Sequence, residues 1–432
     1  MPYLVHAQED RQAMLAGIGK NGIEDLLVDI PSELRIDRLD LPDGMSELDT
    51  LREIRRLADR NRVFEDRLTF RGGGVYRRFV PSAVQAVTSK PEFYTAYTPY
   101  QPEASQGTLQ AIFEYQTLIA ELTGLDVSNA SLYDGATAAA EAVMMAATQT
   151  GRRRVAVAPY VHPEYVEVLR CYGDGRGFEV DVGLEHVGDE TAAVLFQVPN
   201  FLGLLDDPAE LTERAHAAGA LAIACVDPVS LAVLAPPGEY GADIAVGEGQ
   251  QLGLAPSFGG PHVGFIACRE TLTRRLPGRL VGEAYDERGR RGYVLTLTAR
   301  EQHIRRAKAT SNICTNHSLC ALAASVYLTY LGPDGLRQVA DVSFQRAHHL
   351  AARLAELPGV ELAFPACPFF SEFPVRVADP ERALRRCAEA GILGGLPAVR
   401  WFPELRDVLL FCCTEVNDPE ALDLLVEVLR DT

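Results

Sequence analysis

The sequence predicts an α/β protein built on a mostly parallel β-sheet, followed by a smaller α/β domain. Three observations carry that expectation. Between residues 155 and 267, apolar runs of about four to seven residues alternate with helical segments. Those runs are apolar throughout, as strands covered by helices on both faces require. After Asp334 the alternation resumes on a smaller scale, with helices at 338–356, 381–390 and 419–430 and strands near Val375 and from Val408 to Phe411. The chain of 432 residues is long enough for about two to three domains. We divide it into an N-terminal arm (1–75), a large domain (76–335) and a small domain (336–432).

Within the arm, Gln8 to Ile18 reads as a short helix, and Ser46 to Asn61 as an amphipathic one with Leu51, Ile54 and Leu57 on one face. Such an arm either wraps a partner subunit or packs on its own domain. Gly72-Gly73-Gly74 supplies backbone freedom for a tight turn. It is a poor phosphate loop, since no Gly-x-x-x-x-Gly-Lys pattern follows.

The stretch from Phe93 to Gly107 reads FYTAYTPYQPEASQG. Pro99 and Pro102 disfavour helix before them, so an extended, polyproline-like course is expected. Its threefold repeat would put Tyr94, Tyr97 and Tyr100 on one edge, either as a site wall or as packing in the core or a subunit seam. Ser105 then caps a helix with Leu109, Ile112, Phe113, Gln116, Ile119 and Ala120 on one stripe, ended by Gly124. A second helix starts at Gly135, behind Asp134.

Strands follow at Val155–Ala158, Phe178–Val182, Ala192–Val198, Leu221–Val226, Ala242–Val246 and Val263–Ala267, with helices at Pro163–Cys171 and from Asp207 to Ala218. Ligands in such sheets gather beyond the strand C-termini, which is where Asn200 and Asp227 fall. From Arg274 to Lys308 the chain turns basic, then runs through Ala309-Thr-Ser-Asn-Ile-Cys-Thr-Asn-His317 into a long apolar helix closed by Gly332.

Composition excludes several classes. A net charge of −18 disfavours non-specific nucleic-acid binding. No run of about eighteen apolar residues exists to span a membrane. The start, MPYLVHAQEDRQ, has no basic leader before an apolar run, so no signal peptide is expected. Most of the nine cysteines sit in apolar settings such as Ala224-Cys225-Val226 and Phe411-Cys412-Cys413-Thr414, which reads as reduced thiols in a cytoplasm. None has metal-site spacing.

The segments FYTAYTPYQPEASQG, NASLYDGATAAAEA, VDPVSLAVLAPPGEYGADIAVGEGQ, SFGGPHVGF and LPGRLVGEAYDERGRRGYVLTLTAREQHIRRAKATSNICT, in this order, resemble the glycine cleavage system P-protein family. More narrowly, they resemble its subunit 1, the N-terminal-type half found as a separate chain. The resemblance runs end to end. Ala307 stands where Glu is usual, and Asn316-His317-Ser318 is less typical.

The resemblance implies the aspartate-aminotransferase-like fold type I of pyridoxal-phosphate-dependent transferases. It implies glycine dehydrogenase (aminomethyl-transferring) activity in a two-chain enzyme, in which glycine is decarboxylated and its aminomethyl group passes to the lipoyl arm of the H-protein. The expected assembly is α2β2 with subunit 2, which would hold pyridoxal phosphate on its lysine. This chain has three lysines, Lys20, Lys90 and Lys308, and reads Gly247-Glu248-Gly249-Gln250-Gln251 where the Schiff-base lysine belongs. Gln250 or Gln251 thus replaces the lysine, Asp227 is a structural remnant, and no catalytic residue is expected on this chain alone. Tyr94, Tyr97, Tyr100, Gln101 and Glu103, with Ser311, Asn312 and Thr315 of the Ser311–Thr315 loop, are the candidates to line the partner's site at the subunit seam. Two alternatives stay open: a purely structural assembly subunit, and a stand-alone lyase or aminotransferase of this fold.

Overall fold

The computed structural model describes residues 5–36 and 38–430. The chain divides into two units, Met1–Val63 and Phe64–Thr432. In the first, α1 (Gln8–Gly17) and α2 (Glu47–Ala58) form where the sequence placed them. Ser46 caps α2 by accepting from Asp49 N at 3.2 Å, satisfying an otherwise orphaned amide. No described residue of this unit is buried, and Leu51, Ile54 and Leu57 of the α2 stripe are exposed.

The second unit begins with a strap, residues 64–81, that runs into short helices α3 (Ser82–Thr88) and α4 (Pro91–Tyr94). α5 (Gln106–Thr123) ends at Gly124 with φ 65°, the left-handed cap glycine allows at no steric cost. β1 (Val127–Ser128) leads into α6 (Gly135–Thr150), then β2 (Arg154–Val157), α7 (Pro163–Arg176), β3 (Glu179–Val182) and β4 (Thr191–Val198). α8 (Pro208–Ala217), β5 (Leu221–Val226), β6 (Ile244–Glu248) and β7 (Gly264–Cys268) complete the large sheet. Its order is β1-β7-β6-β5-β4-β2-β3. Strands β2 to β6 run parallel, while β7 is antiparallel to both β6 and β1. Apolar runs predict burial, not direction, so the reversal at β7 was not legible in the sequence.

The basic stretch contains a hairpin that its charges concealed: β8 (Val281–Tyr285) pairs with β9 (Arg291–Leu295), and Val281 and Tyr293 pack with Leu109 and Ile112 of α5. After α9 (Gln302–Arg305), the long helix α10 (Ser318–Ala355) kinks at Gly332, whose φ is 62°, one residue before Pro333. A second, antiparallel sheet holds β10 (Val360–Leu362), β11 (Glu372–Val377), β12 (Leu396–Pro397) and β13 (Val408–Cys412) in the order β10-β11-β13-β12, backed by α11 (Pro380–Glu389) and α12 (Pro419–Leu429). Leu68 and Phe70 of the strap join its core, and Phe70 bridges it by N to Leu393 O and by O from Cys412 N. Among the described residues, no helix is long and apolar enough to cross a membrane.

Candidate functional site

A cleft opens at the C-terminal ends of β4, β5 and β6, between the large sheet and the small one. Tyr76, His162, Tyr165, Asp227, Glu248, Gln250, Gln251 and Glu372 are among its lining residues. The free space is ≈ 40 Å³, room for a few waters at most. The chain's own side chains fill the rest.

Each filling has an identifiable cause. At the N-terminus of α6, backbone amides point outward as an anion seat. Asp134 Oδ1 takes Thr137 N at 2.7 Å as the helix cap, and Glu248 Oε2 takes Gly135 N at 3.0 Å. Glu248 Oε1 also accepts from Gln250 N at 2.9 Å and Val263 N at 3.2 Å. His262 Nδ1 lies 3.4 Å from that oxygen, and the carboxylate holds the imidazole above its usual pKa. A carboxylate therefore occupies the place where a phosphate would bind, and Tyr165 presses so close that a Cβ on Gly135 would meet its hydroxyl at 1.9 Å.

Asp227 follows β5. Its Oδ1 accepts from Val229 N, Ser230 N and, at 2.7 Å, Gln251 Nε2. Gln251 Oε1 in turn accepts from Arg78 Nε at 2.7 Å, and Arg78 donates onward to Glu415 Oε2 at 2.7 Å and to Ser343 Oγ at 3.1 Å. Gln250 is equally engaged, accepting from Tyr76 N and donating to Tyr76 O. Burial pushes the Asp227 carboxyl above its ordinary range, against the pull of Arg78 and three hydrogen bonds. On the opposite wall, Glu372 accepts from Tyr76 Oη at 2.6 Å and Gly73 N at 2.7 Å. Desolvation raises its pKa to about 7, and the phenol of Tyr76 is pushed well up by the same burial. The glycine triplet is thus a close-approach turn: a Cβ at Gly72 would meet Glu372 Oε1 at 2.1 Å.

Pyridoxal phosphate does not fit these residues. The amide end of α6 is taken by carboxylates, Gln250 and Gln251, which the resemblance puts in the place of the lysine, are both hydrogen-bonded, and ≈ 40 Å³ of free space is too little for a pyridine ring. Three parts of this arrangement escaped the sequence: the strap residues Tyr76 and Arg78, the internal anion Glu248, and Glu372, which comes from the small sheet. Only Glu248 left a signal, as an acid in the Gly247–Gln251 segment.

The expected partner-facing residues lie on a second feature. Tyr94, Tyr97 and Tyr100 are all exposed, Tyr97 at 87%, so they do not pack into this chain's core. The uniform polyproline course is not observed. Pro91 starts the one-turn helix α4, which contains Tyr94, and Pro102 starts a 3-10 turn to Ala104; a proline's fixed φ and missing N–H suit the first position of a helical turn. Gln101 and Glu103 are exposed. In the Ser311–Thr315 loop, Ile313 is buried as an anchor, Ser311 Oγ accepts from Ile313 N at 3.1 Å, and Asn312 and Thr315 face outward. Phe93 and Tyr94 share a small cavity with Ser318 and Leu319 at the start of α10. Arg279 joins the two loops, donating to Tyr100 Oη and to Asn316 Oδ1, each at 3.2 Å. No sequence pattern marks an arginine for that role, because tertiary contact alone brings residues 100, 279 and 316 together.

The sequence model of the family described as Glycine cleavage system P-protein matches residues 1–429. A relative from Moorella thermoacetica, called probable glycine dehydrogenase (decarboxylating) subunit 1, is 50% identical over 100% of this chain and 99% of its own. One of the same description from Thermotoga maritima is 48% identical over 99% of each chain. A crystal structure of glycine decarboxylase (P-protein) of the glycine cleavage system, in inhibitor-bound form, matches with a TM-score of 0.93 and 50% identity across 100% of both chains. A C-DES mutant described with glycine linked to its PLP cofactor superposes with a TM-score of 0.60 at 15% identity, covering 90% of this chain and 100% of that one. That more distant likeness shows the fold, type I of the pyridoxal-phosphate-dependent enzymes. The chain belongs to the glycine cleavage system P-protein family.

Proposed function

We propose that this chain is the lysine-less subunit of a two-chain glycine dehydrogenase (decarboxylating). Subunit 2 holds the pyridoxal phosphate, and the two chains assemble as α2β2. The pair decarboxylates glycine, releases carbon dioxide and passes the aminomethyl group to the lipoyl arm of the H-protein. The observation that carries this is the self-filled cleft: Glu248 and Gln250 are engaged by the chain's own backbone, Gln251 by Asp227 and Arg78, and Glu372 by Gly73 N and Tyr76. That filling, in a chain closely similar to subunit 1 relatives, supports a reading in which the chemistry comes from a second chain.

What this chain contributes is a wall. Tyr94, Tyr97, Tyr100, Gln101 and Glu103, with Ser311, Asn312 and Thr315, form it at the seam, as hydroxyl and amide donors toward glycine or as lining for the lipoyl arm. The exposure of all of them but the half-buried Ser311 supports this role, since side chains packed only for stability would be buried. Asp227 and the two glutamines serve structure. The exposed apolar stripe of α2 suits docking on subunit 2.

The test is co-purification with subunit 2, followed by borohydride reduction and peptide mapping. All phosphopyridoxyl label is expected on subunit 2, with glycine-dependent carbon dioxide release only from the mixture. Label on Lys20, Lys90 or Lys308 of this chain, or activity from this chain alone, would instead establish the stand-alone enzyme. A mixture whose rate is unaffected by phenylalanine at all three tyrosines would favour the assembly subunit.

A further inference from the structure

Arg279 is the one feature of the two-loop face that the chain does not itself explain. It is 2% exposed. It pairs with no carboxylate among the described residues: its Nη1 and Nη2 donate to the neutral oxygens of Asn316 and Tyr100, and its Nε is buried with no partner. Burying a guanidinium without an anion is costly, so charges so placed are ordinarily matched.

Its position is nonetheless built. The Leu276-Pro277-Gly278-Arg279 turn is held by Asn129 Nδ2 donating to Pro277 O at 3.0 Å and by Ala130 N donating to Arg279 O at 3.0 Å. Gly278 has φ +66°, and a Cβ there would come within 3.1 Å of Ile313 Cγ2, the loop anchor. The guanidinium carbon lies 5.4 Å from the centroid of the Tyr100 ring.

Hydrogen-bond polarity then decides what the pair can do. Arginine has donors only, so Tyr100 Oη must accept from it. The phenol's own hydrogen is left free to point elsewhere. Tyr100 is 56% exposed, so that hydrogen can be offered outside the chain, from an oxygen polarised by a buried positive charge. Asn316 cannot compete for the same acceptor, because its Nδ2 is committed to Ala130 O and Ser318 Oγ, both at 3.0 Å. A charge-assisted donor of this kind is best matched by a carboxylate.

We propose that Arg279 is a positioning residue that holds Tyr100 as an oriented hydrogen-bond donor for a carboxylate arriving from outside this chain. The carboxylate is either that of glycine or that of an acidic side chain of subunit 2. The proposal rests on the two-chain function above.

The experiment uses the reconstituted complex with Tyr100→Phe, Arg279→Lys and the double variant. Arg279→Lys keeps the charge and loses the planar fork. Tyr100→Phe removes the donor while leaving the guanidinium its bond to Asn316 and an aromatic ring beside it, and so stays informative should Arg279→Lys fail to fold. If the carboxylate is glycine's, each single variant raises the KM for glycine roughly tenfold and leaves the dissociation constant for subunit 2 unchanged. If it is a partner side chain, the dissociation constant rises and the KM holds. In both cases the double variant is no worse than the worse single one, because the two residues act through one hydrogen bond. Two wild-type constants in Tyr100→Phe, or single effects that multiply in the double variant, would overturn the proposal. An inactive wild-type mixture would instead bring down the two-chain function.

Discussion

Gln251→Lys places a lysine where the family's Schiff-base lysine is expected, and we predict that it will not capture pyridoxal phosphate. The present glutamine makes two hydrogen bonds of 2.7 Å, donating to Asp227 Oδ1 and accepting from Arg78 Nε. Lysine can keep the first and cannot make the second, because an ammonium has no acceptor. Arg78, whose side chain is 1% exposed, then loses one hydrogen bond of the charged class, worth about 1.5–3 kcal/mol. It also gains a like charge nearby, which the attraction of the new ammonium to Asp227 roughly offsets. A net loss of about 2 kcal/mol follows, and it will appear as a thermal midpoint lowered by a few degrees. The phosphate seat stays closed, since Glu248 still holds Gly135 N and Asp134 still caps Thr137 N. The assay is incubation with pyridoxal phosphate, borohydride reduction and peptide mapping. A stoichiometric phosphopyridoxyl adduct at position 251 in the single variant would refute the claim that the filled seat, and not merely the missing lysine, excludes the cofactor.

Glu372 has its pKa raised by burial from 4.5 to about 7. The folded state therefore holds this proton more tightly than the unfolded state does. Stability is full below the unfolded value and falls as pH rises through the folded one, by an amount on the order of 3 kcal/mol. Glu372→Gln should flatten the thermal midpoint between those two pH values, and an unchanged slope would contradict the burial argument. Tyr97→Phe should leave the thermal midpoint of the isolated chain unchanged, because the side chain is 87% exposed. In the reconstituted complex it should slow turnover roughly ten- to a hundredfold if it donates to a charged group, so wild-type kinetics would remove it from the wall. Finally, the β8–β9 hairpin interleaves Arg288, Arg290 and Arg291 with Glu283, Asp286 and Glu287, and Arg290 and Arg291 pair with Asp286 and Glu283 at 2.7 Å. Locally neutralised charge steers weakly, so Arg291→Glu should leave the salt dependence of H-protein affinity unaltered; a shallower slope would assign steering to this hairpin.

Local chemistry was legible wherever one short segment decided the outcome. Asp207 caps α8 by accepting from Ala209 N and Glu210 N, Gly124 ends α5, and Gly332 breaks α10, because caps and left-handed turns are settled within a few residues, whereas Ser105, expected to cap α5, makes no side-chain cap bond. The apolar runs found the central strands for the same reason. The hairpin was hidden because charges and glycines interrupt its apolar alternation, and β1, β10 and β12 are too short to show a period. Of the expected wall, the residues were named but their placement was not: the polyproline edge gave way to α4 and a 3-10 turn.

By itself, then, the sequence determined the α/β class, the family resemblance and the absence of any lysine between Lys90 and Lys308, since each is a property of residue type in order along the chain. Only the tertiary structure decided that the cleft is filled by the chain's own side chains and that a buried arginine stands behind Tyr100. Glu372 reaches Gly73 from 299 positions away, and Arg279 reaches Tyr100 from 179. Contacts at such separations are set by how the sheets and loops pack, and no local pattern records them.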